Sequence, residues 1–376
     1  MISSILILAL ALFSLIALMV VHEFGHFIIA KKFGVRVEEF GIGYPPRLFG
    51  KRFGETIYSV NLLPLGAFVR IYGEEGGVDD YRSFANLEIW KRVLIVIGGV
   101  AAFWIASIII FSFVFAIGTD LPIGDQDIPG LENPRVAVVS VSFDSPANLA
   151  GMRRGDVLVK TQVGSEVLDI NKISDFQNFT KEYAGQEITV TVNRGSKTLE
   201  LPLLPRVSFP EGQGPVGIGL QRMATLIEKY PWYLAPLQGV KYTWQATVDA
   251  LKGLYLVFAN LLAGKGAPEG ASVAGPLGIT VFLANAASYG FGFFLYFIGL
   301  ISVFIAIFNL FPIPALDGGK LIFLLIEKIK GRPVSVKVEQ SITVAFFFLL
   351  IALSIFVTIK FDIPRFSDFL KSSLQK

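Results

Sequence analysis

Long stretches without charge constrain this sequence more than any other feature. Residues 1–21 and 93–119 carry no charged side chain, and neither do the 46 residues from 271 to 316. A helix rises about 1.5 Å per residue, so each of the first two stretches can cross a hydrocarbon layer of about 30 Å. Charged residues make up only 17% of the 376 positions, against about a quarter in soluble chains. The sequence therefore predicts an integral membrane protein.

Four membrane spans are predicted from these stretches. They are residues 1–21, 93–119, 293–311 and 341–359. The run from 271 to 316 is too long for one crossing, and Gly290 and Gly292 divide it. We expect the part before these glycines to be an amphipathic segment at or beside the membrane. A cleaved leader is the alternative for the first span, but a leader would begin with basic residues that "MISSILILAL" lacks.

The distribution of lysine and arginine predicts the orientation. Ten of these residues lie between positions 31 and 92, and five more lie between the third and fourth predicted spans. Short loops rich in positive charge stay on the cytoplasmic side. The N-terminus, the region between spans two and three, and the tail 361–376 are therefore expected outside the cytoplasm.

Residues 120–230 have the composition of a soluble β-rich insert. The stretch "SPANLAGMRRGDVLVKTQVG" (145–164) resembles the signature of bacterial PDZ domains. That resemblance implies a short helix from Pro146, a strand after Asp156, and a circularly permuted order of strands. It also implies that the backbone of "GPVGIGLQ" (214–221) captures the free C-terminus of a peptide ligand. The groove residues would be Gly217, Ile218 and Gly219. Another small β-rich domain is the alternative.

The segment "VVHEFGH" (20–26) contains both histidines of the chain. On a helix, His22 and His26 lie one turn apart and can share one metal ion, while Glu23 lies on an adjacent face. This is the logic of H-E-x-x-H: two nitrogens bind zinc, and the carboxylate takes a proton from water. Ionisable groups inside a membrane are costly and usually functional. The alternative is that these groups merely pair with neighbouring polar side chains.

A catalytic zinc ion needs a third protein ligand. The chain has no further histidine and no cysteine, so this ligand must be an acid. Asp317 is the strongest candidate because it ends the 46-residue uncharged stretch, within "NLFPIPALDGGK" (309–320). Pro312 and Pro314 break helical hydrogen bonding just before it. In the alternative interpretation, Asp317 only caps the helix that follows.

Together these motifs resemble the site-2 protease family of intramembrane zinc metalloproteases. The resemblance rests on H-E-x-x-H in the first span, a PDZ insert, and N-x-x-P-x-P-x-L-D-G in a late span. It implies that His22, His26 and Asp317 bind Zn²⁺ and that Glu23 is the catalytic acid and base. It further implies that Asn309 holds the substrate and that Pro312 and Pro314 shape the loop around it.

The resemblance also assigns the remaining segments. Residues 35–73 resemble the membrane-associated β-hairpin of the family, and "GPLGI" (275–279) resembles another of its motifs. Residues 231–290 are expected to be an amphipathic or interfacial linker. The predicted fold class is a polytopic α-helical membrane protein with about four spans, a membrane-associated β-hairpin and one extracytoplasmic PDZ domain. Some relatives carry two such domains, and this insert has room for one.

We therefore expect a zinc endopeptidase that cuts the membrane spans of single-pass proteins, near the cytoplasmic face of a bacterial inner membrane. The resemblance suggests membrane-bound anti-sigma factors or remnant signal peptides as substrates. Lipid and a PDZ ligand are the other expected partners, and nucleic acid is not expected. One rival is a catalytically inactive PDZ scaffold with structural zinc, against which Glu23 argues. The other is an ion transporter, for which no inverted repeat is evident.

Overall fold

Long helices alternate with blocks of antiparallel strands along the chain, and two short helices lie among the later strands. The computed structural model describes residues 2–74, 76, 80–125, 132–210, 213–225, 230–264, 273–287 and 290–374. The helices are α1 (Ile2–Lys32), α2 (Ile89–Ile117), α3 (Pro146–Leu149), α4 (Ile173–Glu182), α5 (Ala235–Leu262), α6 (Pro276–Ala287), α7 (Phe291–Asn309), α8 (Asp317–Lys330), α9 (Val336–Val357) and α10 (Ile363–Leu374). The strands are β1 (Val37–Phe53), β2 (Thr56–Ile71), β3 (Asp120–Ile123), β4 (Glu132–Val141), β5 (Val157–Val163), β6 (Glu166–Asp169), β7 (Ile188–Arg194), β8 (Lys197–Leu203) and β9 (Ile218–Thr225).

Four helical segments of the described chain are long and apolar enough to cross a membrane. They are Leu6–Lys32, Ile89–Ile117, Phe291–Asn309 and Val336–Leu370. This number agrees with the sequence prediction. The first segment runs past the predicted end at residue 21, because the apolar pattern continues after Glu23. It ends at Lys31 and Lys32, whose positive charges interact favourably with the C-terminal end of the helix dipole.

Helix α2 lies at the centre of the helical framework and contacts α1, α5, α7 and α8. Side chains of α1, α2, α6 and α7 form one apolar cluster that includes Leu18, Phe103, Leu283 and Ile298. Hydroxyl groups join α2 to α7 within it: Ser302 Oγ donates to the Phe103 carbonyl at 2.8 Å, and Ser107 Oγ lies 3.1 Å from the Gly299 carbonyl. Small polar residues of this kind let membrane helices approach closely.

The segment predicted as an interfacial linker contains two helices that pack on this framework. Helix α5 lies along α2, where Gly239 fits against the backbone of Ile108 and Ser112. One turn further along α5, the Tyr242 hydroxyl lies 2.6 Å from that of Tyr296 on α7. The second helix, α6, is largely buried against α1 and α7. The expected tail is likewise helical, as α10, and contacts α6.

The region predicted as a β-hairpin is an antiparallel pair, β1 and β2, with several shifts of register. One end of the hairpin is anchored by a cluster of buried apolar side chains. This cluster contains Val35, Val37, Ile71, Ala30, Ile95, Val96 and Leu324, which belong to the hairpin region, α1, α2 and α8. Elsewhere along β1, Phe49 and Phe53 are exposed. The hairpin is therefore fixed where it meets the helices.

The insert forms a second β region, which we call the sheet domain (residues 120–125, 132–210 and 213–225). Its seven strands follow the order β3-β9-β4-β5-β7-β8, with β6 paired to β5. Helices α3 and α4 cover a core that includes Val138, Leu158, Phe176 and Val190. Ser145 caps α3 through the Asn148 N–H. The helix from Pro146 and the strand after Asp156 lie where the sequence predicted them, while the assignment as a PDZ domain stays a prediction.

Helix α5 supplies a matched pair of glycines for testing its packing. Alanine at Gly239 would place Cβ only 2.6 Å from the Ile108 carbonyl oxygen, whereas Gly253 has open space around it. We expect Gly239→Ala to lower the free energy of unfolding by about 1–3 kcal/mol. Gly253→Ala should leave it unchanged or raise it by up to about 1 kcal/mol through helix propensity. Thermal unfolding in detergent measures both, and equal stabilities would contradict the close contact of α5 with α2.

Candidate metal centre and active site

His22 and His26 project from the same side of α1 into the protein interior. Both are buried, with 6% and 8% of their surface exposed. Their Nε2 atoms lie 3.2 Å apart, and the rings meet edge to face. The spacing predicted from the sequence thus brings two imidazole nitrogens to one point.

Asp317 reaches the same point from the other end of the chain. Its Oδ2 lies 3.5 Å from Nε2 of each histidine. It is the first residue of α8, after a break that begins where α7 ends at Asn309. Within the break, Ala315 adopts a φ of 91°, and Gly318 and Gly319 lie against the carbonyl groups of residues 310, 311 and 313. A side chain at either glycine would collide with this backbone, so the turn that carries Asp317 depends on them.

The three side chains fit a metal ion. One ligand atom from each of His22, His26 and Asp317 lies within 4.8 Å of the others. Asp317 Oδ2 is buried and accepts no hydrogen bond from the described residues. Burying a carboxylate oxygen without a partner is costly, and a cation at this point would compensate it. Two imidazoles and one carboxylate form a donor set used by catalytic zinc.

Helix α2 orients the histidines. The Ile95 carbonyl lies 2.9 Å from His26 Nδ1, so it can accept the ring N–H and leave Nε2 to bind metal. Phe103 stacks on the His22 ring with centroids 4.7 Å apart. Gly99 lies against both rings, and a Cβ atom there would overlap His26 Nε2. The sequence carries a signal of this contact, since "GG" at 98–99 interrupts an otherwise bulky apolar helix.

Glu23 lies outside this three-residue cluster and faces the hairpin. Its Oε2 accepts a hydrogen bond of 3.0 Å from the Val69 N–H on β2. Burial, and then the negative charge of Glu23, raises the pKa of the Tyr44 phenol on β1. The acid of the motif is therefore placed between α1 and the edge of the hairpin.

The other predicted site residues fall into two places. Asn309 is the last residue of α7, and Pro312 and Pro314 lie in the break that leads to Asp317.

Gly217, Ile218 and Gly219 belong to the sheet domain and stand apart from the metal cluster. Gly217 has a φ of 75° and leads into β9, which pairs with β4 along one edge. In the described sheet, β3 covers the opposite edge only at residues 222–225, so residues 218–221 have no strand partner there.

A charged cavity beside Asp317 was not predicted. It has a volume of about 630 Å³ and is lined by α8, α9 and the chain after β2. Arg92 on α2 forms a double hydrogen bond with Glu327 on α8, at 2.9 and 2.5 Å, and Lys320 pairs with Glu74. These pairs fasten α8, and with it Asp317, to α2 and to the end of the hairpin.

Comparison with known proteins gives a matching family model and several similar proteins. A family model described as Peptidase family M50 matches residues 10–353. A Clostridium perfringens protein whose name includes "zinc metalloprotease" is 34% identical over 358 residues, which are 94% of this chain and 97% of the relative. A Nostoc protein with the same words in its name is 31% identical over 353 residues, 92% and 93% of the two chains. An Arabidopsis thaliana protein, named as a chloroplastic "membrane metalloprotease", is 30% identical over 376 residues, 96% and 80% of the two chains.

Gly99 allows the metal centre to be tested without changing a ligand. Gly99→Ala should displace the imidazole rings and lower zinc affinity by about 10- to 100-fold, the usual cost of disturbing groups that orient ligands. Zinc content after dialysis, measured by mass spectrometry, reports this change. His26→Ala serves as the reference for zinc loss, and Gly253→Ala controls for a glycine replacement in a helix. Full zinc content in Gly99→Ala would contradict the arrangement of the rings described above.

Proposed function

We propose that this chain, which belongs to peptidase family M50 and is a membrane zinc metalloprotease, cuts peptide bonds inside the membrane-spanning segments of single-pass proteins. One observation carries the proposal: His22 and His26 lie on a helix that can cross a membrane, and Asp317 meets them there. His26 precedes the end of α1 at Lys32 by six residues, or about 9 Å of helix rise. Chemistry at this depth reaches bonds that a soluble protease cannot.

In the proposed mechanism, His22, His26 and Asp317 hold the zinc ion. When bound, zinc polarises the scissile carbonyl and lowers the pKa of water toward 7. Glu23 takes the proton from the attacking water and gives it to the leaving amine. The Val69 N–H holds the Glu23 carboxylate on the side of α1 that faces the hairpin, and the Ile95 carbonyl keeps the His26 ring in orientation.

The hairpin offers a binding edge for an extended substrate. Val69 N–H points away from β1 and toward α1, since its hydrogen bond goes to Glu23. The register is regular from Ala67 to Val69, and N–H groups alternate along an antiparallel strand. The Ala67 N–H therefore points to the same side. We propose that an unwound substrate adds to this edge as a strand, as peptides do at other exposed sheet edges.

The broken segment completes the substrate site in this proposal. Asn309 can hydrogen-bond the substrate backbone from the end of α7, and Pro312 and Pro314, which lack a backbone N–H, keep the chain between α7 and α8 from continuing as a helix. Irregular backbone at membrane depth is tolerated where protein or a water-filled cavity surrounds it. The charged cavity beside Asp317 supplies such surroundings.

The resemblance to the site-2 protease family supports a proposal for the substrates and for the topology in the membrane. Anti-sigma factors or remnant signal peptides would be the single-pass substrates, in a bacterial plasma membrane with the metal centre toward the cytoplasm. The lysine and arginine residues between positions 31 and 92 support this orientation. The sheet domain would then be an extracytoplasmic PDZ domain, with a peptide C-terminus bound beside Gly217–Gly219. The edge of β9 at residues 218–221, which has no strand partner among the described residues, suits this role.

Glu23→Gln separates catalysis from metal binding. The amide keeps the shape of the side chain but cannot accept a proton, so peptide cleavage should fall by about two to four orders of magnitude. Zinc content should remain at the wild-type level, whereas His22→Ala should lose it. Cleavage of a test transmembrane substrate in detergent and metal analysis give both values. Cleavage at the wild-type rate would rule out Glu23 as the catalytic base.

Ala67 tests strand addition separately from the hydrogen bond of Glu23. Ala67→Pro removes an edge N–H and should slow cleavage by roughly three- to tenfold, the value of one hydrogen bond, with zinc retained. Ala67→Val enlarges the side chain but keeps the N–H, and should stay closer to wild type. Cleavage rates are compared on substrates with an all-leucine span and with a glycine-containing span, which unwinds at lower cost. Strand addition would lose its support if both variants and both substrates gave equal rates.

A further inference from the structure

A cleft separates the sheet domain from the helical framework. It has a volume of about 520 Å³, within the range of about 300–1,000 Å³ that is typical of small-molecule sites. Residues from β4 and the turns after α3 form one wall, and α6 and α10 form the other. Arg154 bridges the two walls by hydrogen bonds to the side chain and the carbonyl of Asn285.

The position of the cleft along the helices is defined by their ends. Its α6 wall consists of Val281, Phe282 and Asn285, at most ten residues before α7 begins at Phe291. Its α10 wall follows the far end of α9. Both walls thus lie where α7 starts and α9 ends, opposite the end of α7 that leads to Asp317. Helix α10 is amphipathic, with Phe366 and Phe369 turned to the apolar cluster of the framework. Amphipathic helices of this kind lie at the level of lipid headgroups.

Positive charge predominates in the cleft. Arg153, Arg154 and Arg365 line it, against one acid, Asp368. Arg153 is exposed at the surface. Arg365 is held in place by three contacts. Its Nη1 donates to the Val273 carbonyl at 2.5 Å and lies 3.6 Å from Asp362 Oδ1, and its guanidinium lies 5.3 Å from the Phe282 ring centroid. Guanidinium groups bind phosphate through paired hydrogen bonds.

Apolar side chains line the same cleft. Phe143, Met152, Phe282 and Phe369 contribute to its walls, and Phe369 and Val281 also belong to the apolar cluster of α1, α2, α6 and α7. The arginines therefore lie beside a surface that continues into the membrane-facing part of the protein. A phosphate with attached acyl chains satisfies both features, whereas an acidic peptide would satisfy only the charge.

We propose that this cleft binds an anionic phospholipid, whose phosphate lies between Arg153 and Arg365 and whose acyl chains lie against Phe282 and Phe369. The bound lipid would bridge the sheet domain and α10, and so fix the domain at the membrane surface. This role is separate from the metal centre and from the edge of β9.

Native mass spectrometry of the detergent-purified full chain tests the proposal. The probes are phosphatidylglycerol, phosphatidylcholine with the same acyl chains, and inorganic phosphate. We expect phosphatidylglycerol to bind with a stoichiometry of one and Arg153→Ala to weaken it by about fivefold, the value of one basic side chain near an anionic headgroup. Arg153→Glu should weaken it further, and Arg153→Lys should retain most of the affinity.

Arg332→Ala, at an exposed position between α8 and α9, is the matched control and should bind as wild type. Thermal unfolding of every variant verifies that the fold is kept, which separates loss of the site from loss of structure. Equal affinity for the two phospholipids, or equal binding by Arg153→Glu, would overturn the proposal. If inorganic phosphate at equal concentration displaced the lipid, the cleft would be a site for free phosphate and not for phospholipid. Displacement of the lipid by an acidic peptide at equal concentration would assign the cleft to a polypeptide instead.

Discussion

Water is absent from the hydrocarbon layer, so each polar group there must find its partner within the protein. The meeting of His22, His26 and Asp317 is the strictest case, because three ionisable side chains share one buried point. Several contacts of the helical framework hold these three side chains in place. Gly99 leaves room for the rings, the Ile95 carbonyl orients one of them, and the glycines after Asp317 let its turn fold back. A metal ion at this point turns a costly cluster into a stable one.

The features that could be predicted from the sequence are those written in short, local patterns. Uncharged runs gave the number of spans, because lipid tolerates few charges and helix length scales simply with residue count. The spacing of His22 and His26 needed only the geometry of one helical turn. Asp317 was a candidate ligand because it is isolated in an apolar region. The turn residues around Gly155 likewise placed a strand correctly within the sheet domain.

The features that were missed join distant parts of the chain. The bond from Val69 to Glu23 spans 46 positions and the pair of Arg92 and Glu327 spans 235, and no local periodicity encodes either. The packing of α5 on α2 was also missed. The buried face of α5 contains the small residues Gly239 and Thr243, and it can be recognised only when the neighbouring helix is known. The α1 helix proved longer than expected because apolar residues on both sides of the histidines continue it to Lys32.

The positions of the three ligands in the chain determine when the metal site can form during synthesis. His22 and Asp317 are separated by 295 of the 376 positions of the chain. At about 5–20 residues per second, the ribosome needs roughly 15–60 s to pass from one to the other. During that time the nascent chain presents two imidazoles without their carboxylate. Proteolytic competence is thus withheld from the growing polypeptide until most of its helices have been made.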